Sequence, residues 1–261
     1  MRHCRPLLAA LLTGVALLQY GILQAGPVAV RHTEGVVHGF LVLRSLEGAQ
    51  LADGELSQFA RGDQVTTRLA FQFKDGSTHE ETVVYSQRDT FRLLSNHLVQ
   101  KGPAFPVARD VRIDVTSGRV TARRTGDGKE QLVDERLDLP ADVANGLTLT
   151  LIKNLARGAQ PVTISIVRTT PKAGFSKAEI VFVGEEPFSV GSVKRTALHY
   201  VVKPTLGDIA KIVAPLLGKK PPVDTHVWIV GGEAPGFVKS EGPLYSGGPT
   251  WRIELASPAW R

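Results

Sequence analysis

The sequence predicts a mainly β fold (α+β in the broad sense): a large curved antiparallel sheet or open half-barrel with one or two covering helices. Three observations predict it. From Val65 to Gln100, apolar and polar residues alternate in three successive runs, interrupted only at Lys74-Asp75-Gly76-Ser77 and Gln87-Arg88-Asp89. Period-two patterning on both sides of an Asp-Gly pair marks a hairpin, because glycine supplies the positive φ that such a turn needs. Similar short runs recur along the chain, each closed by Gly, Asp or Pro, and only two segments carry helical spacing.

Taken in order, Gly39 to Leu46 and Gly54 to Phe59 read as two strands set around Glu47-Gly48 and Asp53-Gly54. They lead into the Val65 to Gln100 meander. After Gly102-Pro103 and Pro106, Val111, Ile113 and Val115 alternate with polar residues up to Ser117-Gly118. Val120 to Arg124, the turn Gly126-Asp127-Gly128, and Gln131 to Leu137 continue the sheet. The texture then changes. Asp138-Leu139-Pro140 resembles a helix start, with proline in the first turn. Val143, Leu147, Leu151 and Leu155 recur every four residues on one stripe, and Gly158 is a stop. Strands resume at Val162 to Thr169, Lys177 to Val183 and Arg195 to Lys203. A second helical segment spans Leu206 to Leu217, limited by Pro215 and ended by Gly218. Thr225 to Val230, Phe237 to Glu241 and Thr250 to Leu255 complete the strands.

The first 25 residues read as a targeting segment. Arg2 and Arg5 stand without a nearby acid, Leu7 to Leu18 is a short apolar run, and the small Ala25 precedes Gly26-Pro27. This is the layout of a cleaved secretory signal peptide. It divides the chain into residues 1–25 and a single antiparallel β-rich domain of residues 26–261, periplasmic or extracellular after export. An uncleaved anchor is the other reading, because apolar character continues weakly through Ile22-Leu23 and Leu23 is larger than the residue usual at that place. The sole cysteine, Cys4, lies before the apolar run, so the remainder has no thiol, disulfide or cysteine ligand. With 261 residues, 43% of them hydrophobic, the core alone is sufficient to hold the fold. Loss of Arg2 and Arg5 lowers the formal charge from +6 by two, to +4. The basic residues are scattered among acids, and an exported chain with no basic stripe interleaved with aromatics argues against a nucleic-acid partner.

Chemistry-bearing patterns are sparse. On a strand, His79 and Glu81 of His79-Glu80-Glu81 point the same way, so two metal ligands would share a face. The paired-histidine helix signature of metalloproteases is absent, and a solvated strand face beside a turn is the plainer reading. His199 lies in a sheet run where a hydrogen-bonded histidine is commoner than a catalytic base. No Gly-x-Ser-x-Gly elbow occurs, and Gly231-Gly232 opens no helix that would cradle phosphate. No catalytic residue, metal ligand or cofactor is assigned. What remains is apolar: Phe71, Phe73, Tyr85, Phe91, Leu93, Phe182, Trp228 and Trp251 fall on strands and are expected on one side of the sheet. They form either an ordinary core under a helix or the floor of a half-barrel that holds an apolar guest.

Several stretches resemble a family of exported bacterial proteins of unknown function. They are Phe73 to Ser77, Ser86 to Leu93, Gln100 to Pro106, Leu137 to Pro140 with Asn145-Gly146, Gly218-Lys219 with Pro221-Pro222, and Gly248 to Ile253. The resemblance implies kinship and carries no activity with it. Its strand-rich layout is similar to periplasmic half-barrels of the lipoprotein-carrier type, which hold acyl chains; that is an analogy of fold.

The expected function is therefore a periplasmic or secreted binding protein that holds an apolar or amphipathic, lipid-like small molecule in the concave face. The alternative is a non-enzymatic structural or interaction module of the cell envelope, with a protein partner at a strand edge or at the Lys219 to Pro222 loop. A metal-dependent hydrolase centred on His79, Glu81 and Asp75 is the third reading.

Overall fold

The computed structural model describes residues 24–170, 172–190, 192–205 and 222–256. The expected helix at 206–217, the apolar N-terminal run and the Lys219 to Pro221 part of the loop lie outside the described residues.

Among the described residues, fifteen strands form one sheet. In chain order they are β1 (Gln24–Ala25), β2 (Val37–Ser45), β3 (Gln50–Arg61), β4 (Gln64–Phe73), β5 (Thr78–Arg88), β6 (Thr90–Lys101), β7 (Ala108–Asp114), β8 (Arg119–Gly126) and β9 (Lys129–Arg136). After the short helix α1 (Thr148–Lys153) follow β10 (Val162–Arg168), β11 (Gly174–Val190), β12 (Val193–Thr205), β13 (Thr225–Val230), β14 (Gly236–Gly242) and β15 (Trp251–Leu255). Their spatial order is β1-β10-β11-β12-β13-β14-β15-β2-β3-β4-β5-β6-β7-β8-β9. Every pairing is antiparallel except the two-residue contact of β1 with β10. The chain is thus two meanders, β2 to β9 and β10 to β15, joined where β15 pairs with β2.

The sheet curls into a trough. Residues from one half (Val65, Val83, Tyr85, Ile113, Val120) and from the other (Ile164, Ile180, Tyr200, Val227, Ile229) share a single buried cluster with Leu147, Leu151 and Ile152 from α1. Only a strongly curved sheet brings both halves onto one short helix. The link from β9 to β10 must cross from one sheet edge to the other, so it runs over the open side and carries α1 into the trough. A second cluster, Leu41, Leu43, Ala52, Phe71, Phe73, Phe105 and Trp251, fills the same face farther along the strands.

Two local readings of the sequence are corrected. Asp53-Gly54 is no turn but lies extended inside β3, opposite Gln72 and Phe71. A Cβ on Gly54 would lie 2.3 Å from Phe71 Cε1, so the glycine makes room for a fully buried ring. The helix expected from Asp138 is only six residues long. Gly146 adopts φ 67°, and the Asn145 side chain pairs with both backbone groups of Val167, its Oδ1 accepting at 2.8 Å and its Nδ2 donating at 3.1 Å. Residues 142–145 therefore serve as a mock strand along β10, with Ala144 N–H donating to Ser165 O and Ser165 N–H to Asp142 O. An edge that would otherwise stand open is covered.

Candidate functional site: a hollow beside the helix C-terminus

The N-terminal segment 26–36 crosses the trough as a strap. Phe91 N–H donates to Val28 O and Val30 N–H to Asp89 O, pinning it to the β5–β6 turn. Asn154, which ends α1, accepts the N–H groups of Arg31 and His32 on one side-chain oxygen at 2.9 and 2.7 Å, while its amide donates to Thr150 O. Glu34 follows, buried, with its backbone held by the Gln87 side chain and its carboxylate accepting from Gln58 Nε2 at 3.1 Å. The charge of Glu34 is met by Lys153 in the last turn of α1. Strap and helix are thus locked through polar groups that would each be costly if left unpaired in a desolvated place.

Between this lock and strands β11–β13 lies a hollow of about 580 Å³. Leu155, Leu198 and Ile229 supply apolar wall; Arg31, His32, Lys153, Arg157, Glu185 and Glu233 supply polar rim. Lys153 is engaged by Glu34, and Arg157 Nε meets Glu185 Oε1 at 2.5 Å. Arg31 makes no ion pair among the described residues, and its guanidinium lies close enough to lower the phenol pKa of the buried Tyr200. Burial is the larger influence there and holds that phenol above its ordinary value.

None of the eight apolar residues expected to bind a guest lines this hollow. Phe71, Phe73, Tyr85, Phe91, Leu93 and Trp251 are buried on the inner face within the two clusters, and Phe182 packs partly buried against Tyr200 with ring centroids 5.4 Å apart. Trp228 is corrected: β13 reads Val227-Trp228-Ile229, Val227 and Ile229 point into the trough, and Trp228 lies on the outer face stacked on His199. An unbroken apolar triplet carries no alternation, so the face of its middle residue is not written in the sequence.

The hydrolase residues are not brought together. His79 is buried and accepts from Gln100 Nε2 at 3.0 Å, between the rings of Phe71 and Phe105, and desolvation pushes its pKa down to about 4. Glu81 lies under the Asn145-Gly146 turn and accepts from Asn96 Nδ2 at 2.8 Å; burial raises its pKa against that hydrogen bond. Asp75 is spent on the turn, accepting from Ser77 N–H at 2.9 Å. A serine–lysine contact exists elsewhere, Lys177 Nζ to Ser165 Oγ at 2.6 Å, but Ser165 is fully buried and Asp142 Oδ2 holds the ammonium at 3.0 Å. It functions as a clamp on β10, since a nucleophile needs access and a neutral base. Among the described residues, no three His, Cys, Asp or Glu side chains gather around a metal-sized point.

The hollow escaped the sequence reading because its parts are far apart in the chain. Arg31 and Asn154 are separated by 123 residues, and no local pattern announces their meeting.

The sequence matches no protein-family model, and no curated protein matches it. Among solved structures the fold is similar to a β-barrel-like protein of a domain of unknown function, DUF1849, from Brucella abortus. The two are 11% identical, the match covers 88% of this chain and 98% of that one, and the TM-score is 0.47.

Proposed function

We propose that this protein is a periplasmic or secreted, non-catalytic binding protein for an amphipathic, lipid-like small molecule. The guest sits in the hollow beside the C-terminus of α1, with its apolar part against Leu155, Leu198 and Ile229 and its polar end toward Arg31. One observation carries the reading: a hollow of about 580 Å³ with apolar wall and charged rim, within the size range of small-molecule sites and lined in the mixed way such sites are. The apolar floor expected from the sequence is occupied by core packing, so the guest is assigned to the end of the trough. Native mass spectrometry of protein purified without detergent, then mixed with a single-chain anionic amphiphile, tests it. Uptake of one molecule per chain is expected; a clean apo mass at every ratio overturns the proposal.

A second reading, an envelope interaction module, is favoured by β9. Its outer edge is unpaired among the described residues and presents Leu132 at 68% exposure, as a docking strand does. Crosslinking in whole cells that recovers one stoichiometric protein joined through β9 supports it over the carrier.

A further inference from the structure

The outer face of the sheet carries a cluster built quite differently from the hollow. His199 on β12, Trp228 on β13 and Lys239 on β14 are directly opposed across three strands. The imidazole stacks on the indole at 4.2 Å and 13°, and the ammonium lies 4.0 Å from the indole centroid. One carboxylate fixes two of them: Glu186 Oε1 is 2.8 Å from His199 Nδ1, and Glu186 Oε2 accepts from Trp228 Nε1 at 2.9 Å. Only 12% of the His199 side chain is exposed. A carboxylate at Nδ1 keeps the proton there, which leaves the lone pair on Nε2. That nitrogen faces His226 Nδ1 at 2.9 Å.

We propose that His199 Nε2 and His226 Nδ1 form a two-nitrogen site for a divalent transition-metal ion of tetragonal preference, Cu²⁺ or Ni²⁺. The 2.9 Å contact is a hydrogen bond that aims the His199 lone pair at His226, so the ion replaces it. The ion sits on the His199 Nε2 axis at about 2.0–2.1 Å, with His226 Nδ1 moved aside to the same distance; nitrogens kept at about that separation subtend about 90° at the metal. This is the angle between neighbouring ligands in square-planar and tetragonal coordination, and it is too narrow for the tetrahedral geometry of Zn²⁺. His226, which is only half-buried and has no other side-chain hydrogen bond among the described residues, turns to bring its lone pair onto the ion. The proton now on its Nδ1 moves to its outer Nε2, so a neutral pair releases none. Glu186 stays on His199 Nδ1–H, the carboxylate–histidine–metal arrangement that orients a ligand ring and raises its basicity. Glu241, opposite His226 in the ladder, is held by Arg252 at 2.8 Å and Lys239 at 3.3 Å. It offsets part of the positive charge of Lys239 and Arg252, while water completes the coordination.

The test is Cu²⁺ titration read by calorimetry and electron paramagnetic resonance. One Cu²⁺ with a two-nitrogen signal is expected, displaced by Ni²⁺ more readily than by Zn²⁺. His226→Gln abolishes that signal, and Glu186→Gln weakens binding about 10- to 100-fold. His38→Gln and His97→Gln, which remove the imidazoles paired with Glu55 and Asp110, leave it unchanged. Each variant is checked for an unaltered circular dichroism spectrum. Absence of the two-nitrogen signal in the exported protein, or its persistence in folded His226→Gln, overturns the proposal.

Discussion

The ammonium of Lys153 lies 2.5 Å from Glu34 Oε1, with the two side chains only 14% and 8% exposed. This pair is the charged rivet between the strap and the helix. Removing one partner leaves an uncompensated charge in a largely desolvated place. Lys153→Met is expected to destabilise the fold by about 3–5 kcal/mol, while a double replacement by apolar residues of similar volume costs much less. Urea unfolding of the two single variants and the double variant measures the coupling; an uncoupled pair would show simple additivity.

His79 sets an acid limb. Its folded pKa, about 4, is below the ordinary 6.5, so the unfolded chain binds the proton first. The stability of keeping this ring neutral is fully present above about pH 6.5 and is lost progressively down to about pH 4, roughly 3 kcal/mol in all. His79→Gln, which cannot charge, is expected to flatten that part of a stability-against-pH curve. A curve of unchanged slope would assign the acid limb to other groups.

Gly54→Ala places a methyl group into the Phe71 ring. Overpacking of this kind costs about 1–3 kcal/mol, and Phe71→Leu in the same chain should recover part of it, since the smaller side chain vacates the space. Thermal melts of the single and double variants decide this.

Leu198→Trp fills the hollow from its apolar wall. Loss of amphiphile uptake with an unaltered melting temperature is the expected outcome. Arg31→Gln, by contrast, is expected to weaken uptake of an anionic amphiphile about tenfold, the loss of one exposed charge-assisted contact, and to leave a neutral one unaffected. Titration of the two amphiphile types against both variants separates charge from shape.

Strand positions were legible because an antiparallel sheet with one face on a core writes its exposure as a period of two, and β4 and β5 begin and end close to where the alternation does. Gly54 was misread because a glycine that yields space and a glycine that turns the chain look alike in one dimension. The helix was overextended for a related reason. Val143, Leu147 and Leu151 are buried at the spacing of a helical stripe, yet Asn145 supplies side-chain bonds in place of backbone ones and so lets the first part of the segment mimic a strand. The rim of the hollow arises from segments far apart in the chain, and the meeting of His199 with His226 from the register of β12 on β13 across 27 residues, which no local window contains.

The junction of β15 with β2 has a consequence for how the polypeptide becomes a protein. During synthesis the first meander can zip up from neighbouring hairpins, but the ladder edge of β2 has no partner until Trp251–Leu255 has emerged. Completion is therefore postponed until β15 has been made, and a chain cut before Trp251 is left as two half-sheets with a raw seam in the middle. Such a product would be prone to pair with another chain's unfinished edge.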